Sequence, residues 1–367
     1  MIWTPDPVRR IVLDAAGRVL QRPHAGLPTH VAPDLDLHTD LGMSSLQRME
    51  LAAHLNELFG LLHTSPDNYL LAGTRLSHWV GCILRARQQD DTYLTFRSSG
   101  TTGAAKPVRH LMATLLTEAQ TLMRLLPRPA QVVSTVAAHH IYGFLYTVLL
   151  PAGWQCPVRL LADVPASAIT PDTLLIGTPY TWEWLHQSVL PTLSTTCRGV
   201  TSTAPMPPAL FKALTEAGVE LVEVYGSVDT GGIGYRRAPD EPFGLFAHLT
   251  LLPGEPPTLR RADTPDTYRL PDRIDRLSDR HIRLLGRLDD AVQIAGVNVY
   301  PAQIRSVITA CPLVADADVY AKAVAGTVDL YAAIRLRTLT EATQAATYRW
   351  LREHLSAPEQ PKHVYVY

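Results

Sequence analysis

A stretch of glycines and hydroxyl side chains near residue 100 is the part of this sequence best suited to chemistry. The run 95–108 contains two glycines, which have no Cβ, so its backbone can turn tightly and approach a ligand closely. Successive amide groups in such a loop can form an anion-binding concavity, and Lys106 adds a positive charge. We therefore expect this loop to bind a triphosphate. The predicted ligands are Ser99, Gly100, Thr101, Thr102 and Gly103.

An unliganded, flexible Ser/Gly loop is the alternative interpretation of the same stretch. The spacing is not that of a Walker loop, because G-x-x-x-x-G-K-[ST] is absent. Lysine usage favours a ligand, since Lys106 at the end of the loop is one of only four lysines in the chain.

A second candidate site lies where a β-like run ends in an aromatic residue, a glycine and an acid, within residues 222–232. Open α/β sheets bind ligands at such strand ends. Tyr225 offers a face for a purine, and Asp229 offers a carboxylate for the Mg²⁺ that accompanies ATP. The alternative is an ordinary strand-to-turn exit.

Composition limits the class of protein. The 367 residues are 46% hydrophobic, which predicts two or three domains with real cores. A net charge of −1 makes nucleic acid an unfavoured partner. The four cysteines show no metal or disulfide spacing, and the N-terminus lacks a signal peptide, so we expect a cytoplasmic protein. The longest apolar run, 141–150, is too short for a membrane span of ~20 residues.

The elements that position these residues form an α/β protein with three parts. Residues 1–88 have helical periodicity, and residues 89–286 alternate strand-like and helix-like segments, which indicates a layered α/β domain. Residues 270–294 are antiparallel in pattern, and residues 287–367 predict a small α+β lobe. The polar stretch 88–92 is the predicted linker between the first two parts.

The loop at 99–106 resembles the S-G-T-T-G-x-P-K signature of the adenylate-forming superfamily, which includes acyl-CoA synthetases, peptide-synthetase adenylation domains and luciferases. Ala105 stands where proline is usual. Residues 285–301 are similar to the family's G-R-x-D-D segment over its whole length. The resemblance implies that Arg287 contacts ribose or phosphate. It also implies that Asp289 is the hinge about which the small lobe turns between the two half-reactions.

Three shorter segments resemble family motifs that surround the nucleotide and the acid. Residues 225–229 are similar to Y-G-x-T-E, with Val228 replacing the hydroxyl residue; residues 268–272 and 202–206 are similar to Y-R-T-G-D and S-G-A-P-L. The resemblance implies that Asp272 bonds the ribose. The nucleotide ligands implied besides the loop are Thr203, Ala204, Tyr225, Gly226, Ser227, Asp272 and Arg287.

The histidine pair at 139–140 precedes an apolar segment and by itself is typical of a structural role. It also resembles the family's F-H-x-x-G stretch, which lines the acid pocket. The sequence of this stretch is most similar to that of family members that activate benzoates or hydroxycinnamates. The implied acid-binding residues are His140, Tyr142, Gly143, Ser202 and Gly226. The implied catalytic contacts are Lys106, Arg287 and His140.

Residues 40–46 resemble the D-L-G-x-D-S-L motif of acyl carrier proteins, and Ser45 matches the serine that bears phosphopantetheine. Helix capping is the other interpretation of Ser44 and Ser45. Ser44 replaces the usual aspartate, which removes a negative charge beside the attachment site.

Taken together, these resemblances imply a Mg-ATP-dependent ligase that activates an aromatic acid. It would transfer the acyl group to the phosphopantetheine of an acyl carrier protein, or to CoA. A carrier-like unit before an abridged ligase also resembles ligases of aryl-polyene and xanthomonadin pigment pathways, which suggests 4-hydroxybenzoate. The family's catalytic lysine follows a strand similar to 362–367, where this sequence stops, so we expect impaired adenylation. The competing hypothesis is a carrier or docking protein with a degenerate ligase half.

Overall fold

The computed structural model of the protein describes residues 3–22, 34–64, 69–98, 106–192, 196–254, 256–287, 291–294, 297–324 and 327–367. Within these ranges, no helix is both long enough and apolar enough to cross a bilayer.

The N-terminal part is a helical unit, as the periodicity predicts. Its helices are α1 Pro5–Val19, α2 Ser45–Phe59, α3 Leu61–Thr64 and α4 Leu76–Gln89. Helix α2 begins with a capping box, in which Ser44 accepts from the Gln47 amide and the Gln47 side chain accepts from the Ser44 amide. It ends at Gly60, whose φ of 65° lies in the left-handed region that glycine adopts without strain.

Replacing Ser44 with alanine removes one half of this capping box. We expect Ser44→Ala to lower the free energy of unfolding by about 1 kcal/mol, the usual cost of losing a serine cap. Urea denaturation followed by circular dichroism measures it. Ser45→Ala is the matched control, because the Ser45 hydroxyl does not cap α2, and an equal loss in both variants would contradict the capping assignment.

A β-hairpin and a nine-stranded mixed sheet follow. The first strands and helices of this part are β1 Tyr93–Ser98, β2 Lys106–Leu111, α5 Met112–Leu125, β3 Gln131–Ser134, α6 Ile141–Phe144, a π-helical turn Leu145–Leu149, α7 Leu150–Trp154 and β4 Val158–Leu160. The next are β5 Thr173–Gly177, α8 Pro179–Ser188, β6 Cys197–Thr201, α9 Pro208–Glu216, β7 Val219–Ser227, β8 Gly231–Arg236 and β9 Phe243–Leu245.

The remaining elements complete the large sheet, a three-stranded sheet and the C-terminal lobe. They are β10 Leu249–Leu251, β11 Thr258–Arg261, β12 Thr267–Arg269, β13 Asp272–Arg276, β14 His281–Arg287, β15 Val292–Ile294, β16 Val297–Val299, α10 Pro301–Thr309, β17 Val314–Val324, β18 Thr327–Leu336, α11 Glu341–His354 and β19 His363–Val366.

The large sheet has the order β13-β14-β9-β8-β7-β6-β5-β3-β4. Strands β3 to β7 pair in parallel, and the strands from β8 onward pair antiparallel. Every residue of β5 is buried, as expected for a parallel strand covered on both faces. The parallel strands therefore end together at one edge of the sheet, which is where the site lies.

The N-terminal helical unit shares one hydrophobic core with the α/β layer. The Trp3 ring lies 5.6 Å from the Phe59 ring of the same unit and 5.8 Å from the Phe144 ring of the α/β layer. Helix α4 reaches Gln89 and β1 begins at Tyr93, so only residues 90–92 of the predicted polar linker lie between elements. The helical unit is therefore mounted on the α/β layer by direct packing.

Candidate functional site

The β1–β2 hairpin presents the predicted phosphate loop. Its strands pair antiparallel, with Ser98 opposite Lys106, so both ends of the loop are held side by side. The loop residues predicted as ligands, 99–103, lie outside the described residues. Lys106 is exposed at the first residue of β2, beside the point where the loop ends.

His110 fastens this hairpin to the second candidate site. Its Nε2 lies 2.7 Å from the carbonyl oxygen of Val228, so the bond requires the tautomer with a proton on Nε2. Burial is the main cause that lowers the pKa of this imidazole. The contact joins residues 118 apart in sequence, and we did not predict it. The phosphate-loop hairpin and the turn carrying Asp229 are therefore neighbours.

The turn itself is stabilised by its own hydroxyl groups. Ser227 Oγ lies 2.9 Å from Thr230 Oγ1 and accepts a hydrogen bond from the Thr230 amide. Asp229 is exposed beside these bonded residues. Its carboxylate is the hard oxygen ligand that Mg²⁺ takes alongside phosphate oxygens, so the turn fits that ion.

A buried carboxylate, Glu118 of α5, supports the strand that follows the turn. Glu118 is 2% exposed and accepts a hydrogen bond of 2.7 Å from the Gly232 amide. Burial raises the pKa of Glu118 to about 7. Gly231 has φ 72°, and a Cβ there would lie 2.3 Å from Glu118 Oε2. We did not predict Glu118; its only local signal is a carboxylate within the apolar stripe of α5.

Tyr225 and Asp272, both predicted nucleotide ligands, are bonded to each other. The Tyr225 hydroxyl donates to Asp272 Oδ2 at 2.6 Å, and Asp272 is 9% exposed. Asp272 pairs with Arg287 across β13 and β14, although the Arg287 side chain is not among the described ones. The predicted hinge, Asp289, also lies outside the described residues. Tyr225, Asp272 and the backbone of Arg287 therefore converge at one place.

The end of β6 lies beside the end of β7. The Ser202 hydroxyl donates a hydrogen bond of 2.8 Å to the carbonyl oxygen of Val224, one residue before Tyr225. Thr203 has φ 79°, a region that β-branched residues rarely adopt. Observed backbone strain of this kind clusters at ligand-binding sites. Ser202, Thr203 and the half-buried Ala204 thus border the same edge as Tyr225.

Tyr142, two residues after the histidine pair, reaches the same edge of the sheet. The Tyr142 hydroxyl lies 3.0 Å from Gly177 O and 3.2 Å from Val200 O, at the ends of β5 and β6. Burial raises the pKa of Tyr142 well above its ordinary value. Although part of the His140 residue is exposed, desolvation by the surrounding protein lowers its pKa to about 4, with the charge of Arg18 adding to the effect. Tyr142 therefore shapes the site as a neutral phenol, and His140 is a neutral imidazole at pH 7.

Ser45 lies apart from these contacts, at the exposed start of α2. Arg48 donates a hydrogen bond of 3.3 Å to Ser45 Oγ. A cation and the N-terminus of a fifteen-residue helix both favour a phosphate at this position. The residues present therefore fit a phosphopantetheine group on Ser45.

Comparisons with known proteins identify two families within the chain. Residues 49–246 match the family of AMP-binding enzymes, and residues 10–67 match the phosphopantetheine attachment site family. The chain is 37% identical over 286 residues to a 4-coumarate–CoA ligase of Rhodobacter capsulatus, covering 74% of this chain and 73% of that protein. It is 33% identical over 328 residues to a 4-coumarate–CoA ligase of Halorhodospira halophila, covering 86% and 82%.

The fold is similar to that of a solved structure, the amide bond synthetase McbA from Marinactinospora thermotolerans. The TM-score is 0.63 at 20% identity, over 76% of this chain and 66% of McbA. The chain belongs to the AMP-binding, adenylate-forming enzymes and is an adenylate-forming ligase with an N-terminal phosphopantetheine attachment domain.

Proposed function

We propose that this ligase activates an aromatic carboxylic acid with Mg-ATP and transfers the acyl group to a thiol. A carboxylate oxygen attacks the α-phosphorus, which releases pyrophosphate and forms the acyl-adenylate. The thiol sulfur then attacks the acyl carbon, and AMP leaves. The observation that carries the proposal is the convergence of the phosphate-loop hairpin, the Asp229 turn and Tyr225, joined by His110 to Val228.

The chain's own residues bind and orient the nucleotide in this scheme. The loop 99–103 and Lys106 hold the phosphates, and Tyr225, Asp272 and Arg287 hold the adenosine. The residues that border the α-phosphate and adenine are Ser202, Thr203, Ala204, Gly226 and Ser227. Asp229 would hold Mg²⁺, which neutralises phosphate charge. Positioning and charge neutralisation supply most of the rate in phosphoryl chemistry of this kind.

We propose a para-hydroxylated aromatic acid as the substrate. The curated relatives at 37% and 33% identity are named 4-coumarate–CoA ligases, which supports a hydroxycinnamate. The smaller acid suggested by the sequence, 4-hydroxybenzoate, shares its phenol and carboxylate. His140, Tyr142 and Gly143 would line the acid pocket, and His140, uncharged at pH 7, would offer a hydrogen bond to the carboxylate.

The acceptor thiol in this proposal is CoA or the phosphopantetheine of an acyl carrier protein. The relatives' names support CoA, and the phosphopantetheine attachment domain supports a carrier. We also propose the domain limits 1–88, 89–286 and 287–367, with Asp289 as the hinge of the last. Mass spectrometry of Ser45 after treatment with a phosphopantetheinyl transferase shows whether this chain can be its own carrier.

ATP–pyrophosphate exchange with a panel of benzoates and hydroxycinnamates tests the first half-reaction. We expect exchange with 4-coumarate or 4-hydroxybenzoate, and then thioester formation when CoA or a holo-carrier is the sole acceptor. Tight nucleotide binding without exchange for any acid would overturn the proposal and favour a non-catalytic binding protein.

Tyr225→Phe tests the nucleotide site within the same assay. The substitution removes the hydroxyl that donates to Asp272, a bond to a charged acceptor worth about 1.5 kcal/mol. Because this bond orients Asp272, the proposed ribose ligand, we expect KM for ATP to rise by at most about tenfold, since about 1.4 kcal/mol is tenfold in affinity. KM for the acid should stay unchanged. Tyr235→Phe on β8 is the matched control, and an equal effect there would contradict the assignment.

A further inference from the structure

The N-terminal helical unit contacts the segment that we assign to the acid pocket. We call residues 137–147 the histidine segment. It belongs to the α/β layer, yet side chains of α1 and α2 touch it along its length, and these contacts join positions up to 137 residues apart in sequence.

Two side chains of α1 hold the two ends of this segment. Asp14, 4% exposed, accepts a hydrogen bond of 2.5 Å from the Ala138 amide. Arg10 donates to the carbonyl oxygen of Thr147. Positions 10 and 14 are four residues apart, so both side chains lie on one face of α1. One helix face therefore holds the segment just before His139 and again nine residues later.

Helix α2 contacts the middle of the segment. The His54 ring lies 5.4 Å from the His139 ring at 90°, and the His139 ring lies 4.2 Å from that of His140. Burial lowers the pKa of His54 to about 4, with Arg18 and His140 adding to the effect, so this ring is neutral at pH 7. Neutral edge-to-face rings attract each other without repelling charge. A chain of three rings thus connects α2 with His140.

We propose that the N-terminal unit fixes the acid-binding segment, with Asp14 as its main positioning residue, and so sets the affinity of the ligase for the carboxylic acid. The inference rests on the proposed function, because it takes the histidine segment as the wall of the acid pocket. It assigns the phosphopantetheine attachment domain a second role that does not depend on Ser45.

Variants of Asp14 test this role through the kinetics of pyrophosphate exchange. Asp14→Ala removes the acceptor of the Ala138 amide, and we expect KM for the acid to rise about tenfold while KM for ATP changes less than twofold. Asp14→Asn keeps an amide oxygen that can accept the same bond, so it should restore most of the acid affinity. Glu50→Gln is the control on α2, since Glu50 is exposed, and Ser45→Ala tests independence from the attachment serine.

Hydrogen exchange of the unliganded protein separates the inference from the proposed function. Amides of the histidine segment should lose protection in Asp14→Ala and keep it in Asp14→Asn, relative to wild type. Failure of every acid in the wild type would refute the proposed function, and the exchange data would still measure the anchoring. Equal changes in both KM values, or unchanged protection with an unchanged acid KM, would overturn the positioning role. If Asp14→Ala does not fold, the Asp14→Asn variant must match wild type in both readouts for the proposal to stand.

Discussion

Gly143→Ala is expected to abolish most activity and to destabilise the protein. A Cβ at this position would lie 2.0 Å from the carbonyl oxygen of Ala137 and 2.6 Å from its carbonyl carbon. Both atoms belong to the backbone, so the clash cannot be relieved by rotating a side chain. Residues 137 and 143 of the histidine segment would have to move apart, and the cost of such overpacking is about 3 kcal/mol.

The effect on catalysis should be comparable in size to the effect on folding. A shift of about 1 Å in a substrate-positioning segment can cost about 100-fold in rate, because the reacting atoms lose their alignment. Pyrophosphate exchange and thermal unfolding measure the two losses. Gly153→Ala is the matched control, since its Cβ would meet only the flexible Met123 side chain, at 2.7 Å from the sulfur. Full activity in Gly143→Ala would contradict the close contact.

Glu118→Gln is expected to make the protein more stable at alkaline pH than the wild type. The folded protein raises the pKa of Glu118 from 4.5 to about 7, so it holds this proton more tightly than the unfolded chain. The free energy of unfolding therefore falls as the pH rises from 4.5 to about 7, by about 3 kcal/mol over the whole window. Glutamine does not ionise, so the variant does not lose this stability as the pH rises. Its side-chain oxygen can still accept the hydrogen bond from the Gly232 amide.

Urea denaturation of both proteins at pH 5.5 and 8.5 tests this expectation. About 2 kcal/mol of the window lies between these pH values, and the variant should gain that much relative to the wild type. The charged or titratable groups that face Glu118 are Arg261 of β11 and Tyr146 of the π-helical turn, and both are present in the two proteins. A pH-independent difference between the proteins would show that Glu118 does not titrate in this range.

Local patterns in the sequence were sufficient for the regular elements. Helix α11, Glu341–His354 in the predicted α+β lobe, carries such local signals in its apolar spacing and in the Leu-Ser-Ala-Pro break that follows it. The alternation of strands and helices likewise predicted the layered α/β domain. The β1–β2 hairpin was not predicted, because the pairing of its strands, such as Tyr93 with Leu111, joins positions far apart in sequence and leaves no local pattern.

The contacts that bring the site residues together could not be predicted from local sequence patterns. His110 bonds Val228 and Glu118 bonds Gly232 across 118 and 114 residues, and no local pattern marks either pair. Motif similarity identified Tyr225 and Asp272 separately, but their mutual hydrogen bond follows only from the fold. The site residues could be predicted where family motifs exist, and their supporting partners could not.

The hydrophobic core that the N-terminal helices share with the α/β layer limits how far an acyl thioester on a Ser45-linked phosphopantetheine could move. Trp3 contacts both Phe59 of the helical unit and Phe144 of the α/β layer. The helical unit that carries Ser45 is therefore not free to move between reaction sites as a domain on a flexible linker would. A phosphopantetheine arm on Ser45 would therefore pivot about a fixed point, and its sulfur would reach only sites within the length of that arm. An acyl group on such an arm is either delivered to a site within reach of the arm or taken up by a second protein that binds nearby.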